Sequence, residues 1–222
     1  MKRSALSKKT LIFDFDGTIC DTFTEANLNQ FYLKLPKNIK EKFPFKLIQQ
    51  YRDYPIVELF KMANLNSLEI ALLAYKLRNQ FAKMLDQFKP IQGIPDVLGK
   101  FAASGIRLFI LTSNRKSNIE KFLKANSINF FEDVCSEYRF HKKDTKIEKL
   151  VKKYSLTKSE TFYIGDEVRD IEAAKAAGVG SVAVTWGMNG PELLTNQKPS
   201  LLANKPEDLL ALLNSKYSGQ SS

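Results

Sequence analysis

The chain has 222 residues, 44% of them hydrophobic, with 34 Lys and Arg against 24 Asp and Glu and a formal charge of +10. That length suits one large domain, or a core carrying a smaller inserted one, able to bury a sizeable interior without disulfide or metal staples. No apolar run reaches the length of a membrane span, the basic first nine residues lack the apolar stretch and cleavage pattern of a signal peptide, and Cys20 and Cys135 have no metal-ligand spacing, so two reduced thiols in a cytoplasmic protein are expected.

Residues 9–13 are the first predicted strand, and its apolar run ends in Asp14-Phe15-Asp16-Gly17-Thr18. Side chains two apart lean to one side of a strand tip, so Asp14 and Asp16 are expected to face one crevice. Carboxylates that close repel each other, and one pKa rises unless a cation or strong donors lie between them. The pair suits a hard divalent metal and a phosphate, one carboxylate acting as nucleophile and the other as proton carrier. Asp-x-Asp-Gly is also ordinary turn chemistry, so the reading depends on partner residues further along the chain. Cys20 lies six residues beyond Asp14, and its oxidation is expected to harm activity.

Residues 22–89 contain no convincing strand. Helical periodicity runs through Ile56, Leu59, Phe60 and Ala63, and again through Leu72, Leu73, Leu77, Phe81, Met84 and Leu85, with Pro36, Pro44 and Pro55 as punctuation. An all-helical insertion after the first strand would emerge beside its carboxyl end, where open α/β proteins bind ligands. It is expected to cap the crevice. Arg52, Tyr54 and Lys61 are polar candidates for facing it, although most such side chains simply lie on the surface.

From residue 90 the pattern alternates. Strands are expected at 107–111, 133–135, 161–164 and 181–184, and helices at 94–104, 117–126, 143–154 and 168–177. Strands apolar throughout suit a parallel sheet buried on both faces. Gly105 and Gly178 stand where C-terminal caps belong, and Ser117 with Glu120 could form a capping box. The sum is an open α/β fold, a parallel sheet of residues 1–21 and 90–222, with residues 22–89 as the inserted helical domain. The tail at 215–222 is expected to fray.

Three later segments carry chemistry. Thr112-Ser113-Asn114 ends the second strand, where a hydroxyl and free backbone N–H groups can cradle phosphate, although on its own the segment reads more readily as an ordinary helix N-cap. Lys143 opens a helix, with Lys142 as its rival, and one buried ammonium there would neutralise the nucleophile and hold a phosphoryl oxygen. The remaining lysines of this stretch, from Lys146 to Lys153, have helical spacing and read as a solvated face. His141 beside them reads as a solvated loop residue. Gly165-Asp166-Glu167-Val168-Arg169-Asp170 comes after the fourth strand. Asp166 at the tip and Asp170 one turn on share a face, and magnesium's preference for one or two carboxylates, waters and a phosphate oxygen fits Asp14 with Asp166. No zinc finger or aromatic-basic motif points to nucleic acid.

In this order the four segments resemble the signature motifs of the haloacid dehalogenase (HAD) superfamily, over the whole chain, and the helical insertion resembles the small cap of its phosphoglycolate phosphatase-like branch. The resemblance implies a Rossmann-like α/β core with the first strand central, and a Mg2+-dependent phosphatase acting on a small phosphorylated metabolite. Asp14 would become an aspartyl phosphate, and Asp16 would protonate the leaving oxygen and then deprotonate water. The Asp14 carboxylate, the Asp16 backbone carbonyl and Asp166 would hold Mg2+. Thr112, Ser113, Asn114 and Lys143 would bind the phosphoryl group, Asp170 would orient Lys143 or a metal-bound water, and Gly17 and Thr18 would support the turn. Asp16 favours phosphoryl transfer over dehalogenation. A phosphomutase of the β-phosphoglucomutase type shares these motifs, and a catalytically idle binder of phosphorylated ligands or nucleic acid is the reading from another class. Substrate identity and oligomeric state are not legible.

Overall fold

The computed structural model describes residues 9–136 and 143–214. Six strands form one parallel sheet: β1 (Thr10–Phe13), β2 (Arg107–Thr112), β3 (Asp133–Ser136), β4 (Thr161–Gly165), β5 (Gly180–Val184) and β6 (Leu201–Ala203), in the spatial order β3-β2-β1-β4-β5-β6. β1 pairs with β2 from Thr10↔Arg107 to Phe13↔Ile110, and on its other edge with β4 from Thr10↔Thr161 to Phe13↔Ile164. The order therefore reverses at β1, and in an open parallel sheet the crevice at such a switch point is where ligands bind.

The apolar runs are explained by burial on both faces. Leu11, Phe13, Leu108, Ile110, Phe162 and Ile164 pack against one layer, with α6 (Ile94–Ala103) and α7 (Lys116–Ala125). Ile12, Phe109, Leu111 and Tyr163 face the opposite layer, with α8 (Lys143–Lys153) and α9 (Val168–Ala177). α9 ends on Gly178, whose φ of 71° is the left-handed conformation a C-cap needs.

Between β1 and α6 the chain is helical: α1 (Glu25–Leu33), α2 (Lys37–Lys42), α3 (Phe45–Ile48), α4 (Ile56–Met62) and α5 (Ser67–Met84). The three prolines do not break these helices. Pro36, Pro44 and Pro55 are the N-caps of α2, α3 and α4. α5 begins with a capping box in which Asn66 and Glu69 exchange side-chain-to-backbone hydrogen bonds of 2.9 Å. Leu35, Ile39, Phe43, Leu59, Phe60 and Leu73 form an apolar cluster of their own. The segments that leave and re-enter the sheet domain run side by side: the Asp21 N–H donates to the Lys89 carbonyl at 3.0 Å, and the Ile91 N–H to that of Ile19 at 2.8 Å.

Two expectations are corrected. The sheet has six strands where the sequence suggests five. β6 has only three residues, too few to show a pattern, and after it comes a 3₁₀ segment (Pro206–Leu213) that packs Leu209 and Leu212 into the core. Ser117 is not an N-cap. α7 starts one residue earlier with Arg115 as cap, because the Asn114 carboxamide oxygen accepts from the Arg115 N–H at 2.8 Å and from Asn118 Nδ2 at 3.1 Å. The expected fraying tail lies outside the described residues.

Asp133 at the start of β3 gathers Lys116 (2.8 Å), Lys153 (3.0 Å) and the Tyr154 hydroxyl (2.6 Å). The hydrogen bonds from Lys116 and Tyr154 hold its carboxyl well below the usual range. A carboxyl lowered by folding contributes stability above its unfolded pKa of about 3.9 and loses it as pH falls. Asp133→Asn is therefore expected to cost about 1–2 kcal/mol at neutral pH, with the gap narrowing below about pH 4; urea unfolding at the two pH values checks both.

Candidate active site

β1 and β4 end side by side, and their tips bring the carboxylates together. The Asp14 N–H donates to the Ile164 carbonyl at 2.8 Å, continuing the ladder one residue past the strand. Asp14, Asp166 and Asp170 are all buried, and one oxygen from each lies within 4.8 Å of the others. Lys143 reaches in from the first turn of α8, with its ammonium 2.8 Å from Asp14 Oδ2 and 2.5 Å from Asp170 Oδ1. The same ammonium stands 5.3 Å from the centre of the Tyr163 ring. Burial alone would lower the Lys143 pKa, but the charges of Asp14 and Asp170 outweigh it and hold it well above normal. Lys142 and His141 lie outside the described residues.

Asp170 is placed by α9. Its Oδ2 accepts from the Glu167 N–H at 3.1 Å, closing the helix N-terminus, and it leaves no room for a side chain at Gly165. Asp166 is held from two sides, by the Thr18 hydroxyl at 2.8 Å and the Met188 N–H at 2.7 Å. Two glycines make its cradle: a Cβ at Gly17, where φ is +74°, would lie 2.2 Å from Asp166 Oδ2, and one at Gly187 would lie 2.3 Å from it. Among the described residues no cation pairs with Asp166, and burial, with the charges of Glu167, Asp170 and Asp14, pushes its carboxyl well above the usual range. A fully buried carboxylate beside two others, all hard oxygen donors, lacks the positive charge that a divalent cation would supply. The donor set thus fits a magnesium-type ion.

Asp14 also carries a raised pKa, through burial set against the nearby Lys143. Half-buried Asp16 accepts from the Thr22 hydroxyl at 2.9 Å. Burial, then the Asp14 charge, raises its carboxyl to about 7, against the pull of hydrogen bonds from Thr22 and Asn114. A carboxyl poised there can give and take a proton near neutrality. Thr112 is buried below the loop, its hydroxyl accepting from the Asn114 N–H at 3.0 Å. Ser113 and Asn114, with Asp14 and Asp16, line a cavity of about 220 Å³ that runs from the strand tips into the helices of residues 25–84.

Arg52, Tyr54 and Lys61 do not line this cavity. Arg52 instead spans to the loop after β5, donating to the Gly187 and Thr185 carbonyls at 3.1 Å each, while its own carbonyl accepts from the Gly190 N–H at 2.8 Å. Cys20 is fully buried and burial raises its thiol strongly, so thiolate-dependent oxidation is disfavoured at that sulfur, contrary to the expectation from its position alone. Sequence reasoning also passed over Gly187, the Met188 N–H and the ion pair of buried Glu167 with half-buried Arg169 that forms part of the cavity wall. The Gly-rich stretch after β5 was the one available signal for the first two.

The model of the haloacid dehalogenase-like hydrolases matches residues 11–184, a span that runs from β1 through β5 and includes every acidic residue of the cluster. The chain belongs to that family. It is an enzyme of the superfamily, and its relatives indicate a phosphatase. A phosphoglycolate phosphatase from Synechococcus elongatus is 30% identical over 205 residues, 91% of this chain and 95% of that one. The pyrophosphatase PpaX of Listeria welshimeri is 26% identical, over 92% of this chain and 95% of its own. A haloacid dehalogenase-like hydrolase from Streptococcus pneumoniae has the same fold, with a TM-score of 0.72 at 24% identity, covering 94% of this chain and 99% of that one. Among the described residues no helix is long and apolar enough to cross a membrane.

Proposed function

We propose that this HAD-family enzyme is a Mg2+-dependent phosphatase that hydrolyses a small phosphate monoester through an aspartyl phosphate on Asp14, in the cytoplasm. The observation that carries the proposal is the approach of Asp14, Asp166 and Asp170 within 4.8 Å, with Lys143 bonded to the first and third. Asp14 and Asp166, with the Asp16 backbone carbonyl, would hold Mg2+, which supplies positive charge to a phosphoryl group when bound.

The residues divide the work. An Asp14 oxygen attacks phosphorus, forming the Asp14 O–P bond as the bond to the leaving oxygen breaks. Asp16 gives its proton to that oxygen. Lys143, held by Asp170, neutralises Asp14 and then a phosphoryl oxygen, with the Thr112 hydroxyl and the Ser113–Asn114 loop as further donors. In the second half Asp16 takes a proton from water, the water oxygen attacks phosphorus, and the Asp14 O–P bond breaks to release inorganic phosphate. Splitting one displacement into two suits a reaction that needs positioning and charge neutralisation above all. Residues 22–89 act as a cap over the crevice, and Arg52 ties that cap to the loop that cradles Asp166.

Hydrolysis of p-nitrophenyl phosphate tests the proposal. Activity is expected with Mg2+ and no sugar-phosphate activator, and it should fall at least about 100-fold in excess EDTA and return on adding Mg2+. Activity indifferent to chelation would refute the metal assignment, and a requirement for a sugar bisphosphate would favour a phosphomutase. Gly187→Ala pushes a methyl group against Asp166 and is expected to weaken Mg2+ activation about 10- to 100-fold; a Mg2+ titration of activity, and of thermal stability, reads that shift.

A further inference from the structure

The cavity beside Asp14 changes character along its length. At the strand tips its wall is polar, with Asp14, Asp16, Thr22, Ser113 and Asn114. Deeper, between the helices of residues 25–84, the wall is apolar, with Phe31, Phe43, Ile48, Leu59, Phe60 and Leu73 among its residues. Among the described residues the cations on the wall are Arg78 and Arg169, and each has work of its own. Arg169 is paired with buried Glu167, and Arg78 donates to the Ser113 carbonyl at 3.1 Å, at the junction with the sheet. Two tyrosines also stand on the deep wall: the Tyr51 hydroxyl points to the Phe23 carbonyl at 3.5 Å, and the Tyr32 ring, with its hydroxyl the remaining polar group, packs on Phe45 with centres 5.2 Å apart.

Among the described residues that depth offers few donors, so a carboxylate, a second phosphate or a set of sugar hydroxyls pushed into it would shed water for little return, a cost hydrogen bonding must otherwise repay. An apolar group gains there instead. We propose that the preferred substrate is a phosphate monoester of an aryl or medium-chain alkyl alcohol, its phosphoryl group at Asp14 and its hydrocarbon in the apolar end. This rests on the phosphatase reading and narrows it. A cavity of about 150 Å³ lined by Leu, Ile and Phe holds benzene. The roughly 220 Å³ here accommodates an aryl ring or a chain of about six carbons.

The n-alkyl phosphates test this directly, because their leaving alcohols differ little in acidity and the chain length is the variable. With the Mg2+-loaded enzyme, kcat/KM is expected to rise up to about fourfold per methylene from methyl to hexyl phosphate, the gain each buried methylene provides. Hexyl phosphate is expected to exceed phosphoglycolate and pyrophosphate. Ala74→Trp, which places an indole in the cavity from α5, is expected to flatten the series. A flat wild-type series with methyl phosphate hydrolysed, or phosphoglycolate or pyrophosphate ahead of hexyl phosphate, overturns the inference and leaves the phosphatase standing. A series just as steep in Ala74→Trp places the chain elsewhere and also overturns it. No hydrolysis of any monoester by the folded enzyme overturns the phosphatase reading and this inference together.

Discussion

Asp14→Asn is expected to lower turnover of p-nitrophenyl phosphate by at least about four orders of magnitude while the protein stays folded. The carboxamide matches the carboxylate in shape and can still accept from the Phe15 N–H, which lies 2.8 Å from Asp14 Oδ1. It is not a nucleophile toward phosphorus. The fold survives because Lys143 keeps Asp170 at 2.5 Å, and because the substitution removes one of three crowded buried carboxylates, easing their repulsion. Steady-state kinetics with circular dichroism and a melting curve separate lost chemistry from lost structure. Activity within tenfold of wild type would show that another group attacks.

Lys143→Met is expected to damage both stability and rate. It leaves Asp14, Asp166 and Asp170 in the same buried space without the ammonium that bonds two of them. Removing one partner of a buried ion pair typically costs about 3–5 kcal/mol, since the remaining charge stays buried and uncompensated. Loss of a donor aimed at the transferring group typically lowers kcat by about 10²–10³. Mg2+ should recover more stability in the variant than in wild type, since the cation replaces part of the missing charge. Urea unfolding with and without Mg2+ measures the first effect and single-turnover kinetics the second. Lys142→Ala, carried in parallel, is expected to stay near wild type; the reverse pattern would make Lys142 the motif lysine.

The parts that were legible in the sequence share a physical reason. Strands buried on both faces must be apolar throughout, so Leu11-Ile12-Phe13 and Leu108-Phe109-Ile110-Leu111 announce themselves. A parallel sheet sends all its strand ends to one edge, so Asp14 and Asp166 at two such ends meet once β1 and β4 are neighbours. The features that were not legible come from groups without a letter of their own, or from assembly. The N–H of Met188 and the empty space at Gly187 hold Asp166, but a backbone donor leaves no trace in composition. Ser117 with Glu120 reads as a capping box, yet the Asn114 turn starts the helix first. β6 is too short for periodicity. Arg52, a plausible substrate contact by charge, bonds to backbone carbonyls from a distant loop. The cavity is built from several helices whose packing no single stretch foretells.

The most direct test of the account is the covalent state of Asp14. Asp16→Asn keeps the nucleophile and Lys143 but removes the group assigned to activating water, so phosphoenzyme should accumulate. Acid quenching of that variant with Mg2+ and p-nitrophenyl phosphate, then peptide mass spectrometry, is predicted to place one phosphoryl group on the peptide carrying Asp14 and to show none in an Asp14→Asn, Asp16→Asn double variant. A phosphoryl group on another residue, or turnover that persists in Asp14→Asn, would contradict it.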